Sequence, residues 1–146
     1  MDISVRKSPV GRIVFVGLVY LLIGLGFGEL AGSAGSHQTL VLWRLGAWVG
    51  SAMVCAVHFW YEHVRLGSFP RATAMHIALA VAVGAFGLAG AANIHSLLVA
   101  SGNRLLLLLA LIIWPIMTGV PAFLVAFVAA SALVWWKRRP KNPHGP

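Results

Sequence analysis

Residues 105–136 read LLLLLALIIWPIMTGVPAFLVAFVAASALVWW and contain no charged side chain. A run of that length and composition belongs in a bilayer, where about 20 residues of apolar helix cross a hydrocarbon core about 30 Å thick. Reading outward from it, three further segments qualify as spans: Ile13–Ala31, Leu40–Tyr61 and Ala72–Asn93. The whole chain agrees, with 60% hydrophobic and only 10% charged residues over 146 positions. Water-soluble domains are about 25% charged, and disordered chains need low hydrophobicity, so both classes are excluded. Only helices and closed barrels satisfy their backbone in lipid, and barrel strands alternate over about ten residues, so these long runs are helices. The expected fold is an all-α, polytopic integral membrane protein: a single membrane domain over 1–146, a bundle of four transmembrane helices.

The charges give this bundle a direction. Nine of the eleven Lys and Arg lie in three clusters, Arg6/Lys7/Arg12, Arg65/Arg71 and Lys137/Arg138/Arg139/Lys141, each beside an apolar run. Basic flanks mark the cytoplasmic side, so both termini and the middle loop are expected there, in a bacterial-type cytoplasmic membrane. The formal charge of +8 then answers to lipid headgroups, with no basic face suited to nucleic acid. Ile13–Ala31 is long for the apolar core of a cleaved leader and reads as a retained first span. The residues 137–146 read as a basic cytoplasmic tail. Cys55 is the single cysteine, which leaves no internal disulfide or thiolate metal cage.

The fourth segment is too long for one straight crossing: as a helix it measures about 48 Å. Pro115 and Pro121 each remove a backbone donor, and Gly119 lies between them. A kinked or broken helix around Trp114–Pro121 is therefore expected. A fifth span made by turning there leaves two short pieces and carries the basic tail to the wrong side.

The residues that lipid penalises carry the functional reading. Arg44, Trp48, Ser51, Cys55, His58 and Glu62 are spaced four, three, four, three and four apart. On a helix they fall within an arc of about 80°, a polar stripe along the second span. Burying charge in the bilayer costs ~2.5 kcal/mol or more, so this stripe is expected to face protein or water. His76, Ala80, Gly84, Gly87 and Ala91 share one face of the third span and offer it a small-residue surface, which brings His58 and His76 to similar depth. Gly24, Gly28 and Gly32 form a double GxxxG on the first span, expected to pack a second copy of the chain through Gly24 and Gly28.

Three functions remain open on these residues. In the first, Arg44, Ser51, His58, Glu62 and His76 form a substrate path or proton-handling set of a homo-oligomeric transporter or channel for a small ion or solute. In the second, the stripe docks other membrane subunits, and the chain is a non-catalytic subunit or assembly factor. In the third, His58, Glu62 and His76 hold a transition metal, or two of the histidines hold haem; no cofactor is required by the sequence, and no dense ligand motif is present. The bland alternative makes His58, Glu62, His63 and His76 interfacial groups bonded to headgroups, Tyr61 or Arg65. A second polar set, Glu29, Arg44, His95 and Arg104, lies at the outer end and reads as a clamp between the first two spans or a gate. No nucleophile–base pair, phosphate loop or paired carboxylate argues for an enzyme.

Overall fold

A computed structural model describes residues 9–99 and 103–138. Arg6, Lys7, Arg139 and Lys141 of the basic clusters lie outside the described residues, as does the tail beyond residue 138. Among the described residues there are helices and no strands: α1 (Pro9–Gly32), α2 (His37–Trp60) continuing into a π-turn (Tyr61–Arg65), α3 (Pro70–Leu98) and α4 (Arg104–Arg138). All four are long and apolar enough to cross a membrane. Their outward surfaces carry Leu22, Met53, Phe86 and Val125, an apolar coat suited to acyl chains.

Local chemistry sets the ends. Ser36 caps α2, its hydroxyl accepting from the Thr39 amide at 3.2 Å. Asn103 does the same for α4, accepting from Leu105 N at 3.0 Å. Between α2 and α3 the chain reverses at Gly67, whose φ of 62° falls in the left-handed region that glycine adopts without strain. Pro70 then opens α3, where its missing donor costs nothing.

The helices pack as a row, α2–α1–α3–α4, with α3 against both α1 and α4 and α2 riding mainly on α1. The α1–α3 contact is the closest. A Cβ on Gly84 would stand 2.6 Å from Tyr20 Cβ and 3.0 Å from the Gly17 carbonyl oxygen, and one on Gly17 would stand 2.6 Å from Val83. Gly87 lies against Leu21 in the same way. Small residues here let two backbones meet. The small face of α3 is therefore taken by α1, and not by the polar stripe of α2 as its spacing suggested. Gly24 also packs within the chain, where a Cβ would fall 2.6 Å from Leu88, whereas Gly28 has nothing within 4 Å. So of the two glycines assigned to self-association, only Gly28 is left open.

The expected break in the fourth span is absent: α4 runs as one helix through Pro115, Gly119 and Pro121. Each proline removes a single ladder bond, and the turns on either side persist because lipid offers their backbone no competing partner. The Thr118 hydroxyl adds a bond inside the weakened stretch, donating to the Trp114 carbonyl at 2.8 Å. Gly119 is not a joint but a packing point, where a Cβ would meet the Ala78 oxygen at 3.4 Å and Ala82 at 3.5 Å. At the outer end Asn93 fastens α3 to α4, its amide donating to Ala89 O at 2.8 Å and Leu107 O at 2.7 Å.

Toward the basic end, Ala74, Ile77 and Ala126 form a core with Phe59 and Phe123 packed on it, which draws α2, α3 and α4 together. Further out, α2 and α4 diverge and leave a groove floored by α1 and α3.

Candidate functional site

Three elements converge on one carboxylate at the basic end of the bundle. Glu62, in the π-turn, is 1% exposed. Its Oε2 accepts from His76 Nδ1 of α3 at 2.9 Å and has the Ser68 hydroxyl at 3.5 Å. Its Oε1 has the Arg12 guanidinium of α1 at 3.6 Å and His58 Nε2 of α2 at 3.8 Å. Arg12 also lies over the Tyr61 ring, 5.8 Å from its centroid, so it holds α1 to the end of α2 twice. A buried carboxylate survives desolvation only when charge and hydrogen bonds surround it, and here both oxygens are met.

The π-turn is what delivers Glu62. Leu66 N bonds to Tyr61 O at 3.1 Å, a five-residue closure in place of the usual four. The wider turn takes a smaller angular step per residue, so the adjacent Glu62 and His63 both face inward. His63 stacks on Phe59 with ring centroids 5.6 Å apart. Its Nδ1 and the hydroxyl of Thr73 are buried without a hydrogen-bond partner among the described residues. Such wide turns recur at functional sites.

Of the stripe on α2, the structure brings His58 and Glu62 together with His76, and leaves the rest apart from them. Burial falls along the helix: His58 and Glu62 are buried, Ser51 and Cys55 are half-buried on the groove wall, Trp48 stands on its rim, and Arg44 is exposed. The stripe is interior at its inner end and opens toward the membrane further out. The outer set is not a cluster. Glu29, Arg44, His95 and Arg104 are all exposed, and no ion pair joins them among the described residues.

His58, Glu62 and His76 share a carboxylate, but among the described residues no group of three or more His, Cys, Asp or Glu is placed to hold a metal ion. The Arg12 guanidinium at 3.6 Å would repel a dication there. His58 and His76, the pair considered for haem, both engage Glu62.

Arg12 is the site residue that sequence reasoning missed. It sits one position before the apolar run, where it is indistinguishable from other basic flanks that orient a span. His63, Ser68 and Thr73 join through the π-turn and the tight loop, which leave no local signature. Comparison with protein-family models, curated proteins and solved structures finds no match.

Proposed function

We propose that this is a small transporter of the cytoplasmic membrane, acting as a homo-oligomer with both termini in the cytoplasm, in which Glu62 exchanges protons as a small solute moves along the α2 side of the bundle. The observation that carries this reading is Glu62 itself, a carboxylate 1% exposed whose two oxygens are shared by two histidines and an arginine. Ionisable groups kept inside a membrane bundle are expensive and mark ion pathways and proton relays. Histidine is the side chain that changes charge near neutrality, so a His–Glu–His set can pass a proton without a large energetic step.

Accessibility gives the set a sense. His76 has 23% of its side chain exposed, Glu62 1% and His58 4%. A proton taken up at His76 from the basic-loop side reaches Glu62 Oε2, and Oε1 faces His58, the innermost member. The orientation assigned to the termini rests on the basic clusters flanking the spans. Docking as a subunit of a larger complex is the second reading, and the open flank between α2 and α4, with Trp48 77% exposed, favours it.

Reconstitution into vesicles loaded with a pH-sensitive dye separates the two. Under an imposed pH gradient the wild type should carry protons, and Glu62→Gln should lose at least about tenfold of the rate while remaining inserted. A Glu62→Gln protein with wild-type flux, or a wild type with none, refutes the transport reading.

A further inference from the structure

The groove between α2 and α4 has a volume of about 590 Å³, within the ~300–1,000 Å³ of small-molecule pockets. Ser51, Cys55, Tyr20, Ala85, Thr118 and Ala122 contribute to its walls, all from the middle of their spans. An occupant must therefore arrive through the bilayer, and no charged side chain lines the groove to hold an ion. At the inner end the walls close on the core of Ala74, Ile77 and Ala126.

Two buried polar side chains stand at that end. Tyr20 forms part of the floor and is 9% exposed, yet its hydroxyl makes no hydrogen bond among the described residues. It packs beside Cys55. One turn of α2 inward, His58 is 5% exposed, and both ring nitrogens are likewise without a hydrogen bond. Unmade hydrogen bonds at buried groups are costly, and a ligand that supplies the missing partner removes that cost. Thr118 offers only lone pairs, because its proton is given to Trp114 O.

We infer that the groove binds a neutral, membrane-dissolved ring compound with a hydroxyl or carbonyl head, of the phenol–quinone class, its head toward Tyr20 and His58 and its apolar body between α2 and α4. The hydroxyl of Tyr20 donates to such a head, and a neutral imidazole both donates and accepts. An acyl chain fills the volume but leaves both groups unpaired. A helix from a second copy is about 10 Å across and needs an open channel along its length, which the closed inner end denies it. The inference names the substrate class of the proposed transporter and rests on that reading for the ligand's role, though not for its binding.

Decylubiquinone titrated into the purified full chain in nanodiscs tests this through tryptophan fluorescence. Trp48, on the rim, is the reporter. Quenching should saturate, Trp48→Phe should remove the saturable part, and Tyr20→Phe should weaken the apparent affinity about fivefold for one lost hydrogen bond. Ala52→Leu on the α2 wall should abolish saturation, and Val125→Phe on the facing wall serves if that variant does not fold. Quenching that rises linearly with quinone content and is unchanged by the filling variant overturns the inference. So does displacement of the quinone by ordinary phospholipid, or a cross-link between two copies through a cysteine at position 48 in a Cys55→Ala background. Saturable binding without proton flux rejects the transport reading and keeps the site. Flux without saturable binding does the reverse.

Discussion

Replacing Glu62 by glutamine keeps the side chain's shape and an oxygen for His76, and removes the charge that Arg12 faces at 3.6 Å. At an effective dielectric near 20, two unit charges at that separation attract by about 4–5 kcal/mol. Arg12 retains 27% exposure of its side chain. Water screens part of the attraction, and an arginine without its partner can snorkel toward the headgroups. Glu62→Gln should therefore cost about 2 kcal/mol, below the ~3–5 kcal/mol of a fully buried pair. Arg12→Gln is the harsher change. It leaves a carboxylate 1% exposed with no outward route, and should cost about 3–4 kcal/mol. The double variant removes both charges and should fall short of the sum by about 2 kcal/mol. Equilibrium unfolding by SDS in mixed micelles, followed by circular dichroism, yields all three values. Strict additivity, or a milder effect of Arg12→Gln than of Glu62→Gln, refutes the reasoning.

Two further outcomes are open to direct measurement. Gly84→Ala places a Cβ 2.6 Å from Tyr20 Cβ and 3.0 Å from the Gly17 oxygen, and the strain should cost about 1–3 kcal/mol in the same titration. Gly28→Ala, with nothing within 4 Å, should stay within about 0.5 kcal/mol, and equal effects at both sites would contradict the packing. In a Cys55→Ala background, a cysteine at position 37 should react with an impermeant maleimide from outside intact cells and one at position 67 should not; the reverse pattern inverts the orientation.

The membrane class and the four spans are legible in the sequence because hydrocarbon imposes length and polarity on every residue that touches it. His58 and Glu62 could be put on one helical face for the same reason. The partner of that face could not. Both α1 and α2 offered a surface to the small residues of α3, and the choice rests on how Tyr20, Leu21 and Val83 interlock with Gly17, Gly84 and Gly87, which periodicity does not encode. Proline was over-read: Pro115 and Pro121 weaken a helix without ending it where water is absent. The site was visible as residue types near one boundary, but its geometry depends on the π-turn at Tyr61–Arg65 and on Arg12 reaching across from another helix.

The row order of the helices makes the molecule a pair of scissors. Each blade is two helices, α2 lying on α1 and α4 lying on α3, and the rivet is the backbone contact of Gly17 with Gly84. A change in the crossing angle at this rivet would alter the spacing of the groove walls, since α2 and α4 are the blades' outer edges. At the inner end the blades are tied twice, by the Ile77–Phe59–Ala126 core and by Glu62 with its companions on α1 and α3. The Asn93 bond ties α3 to α4 within one blade and leaves the angle free. A fill that splays α2 from α4 thus pulls against the Glu62 knot, whereas additional stitching between α3 and α4 does not, so mechanical load in this fold reaches the polar residues through the first crossing and bypasses the longest helix.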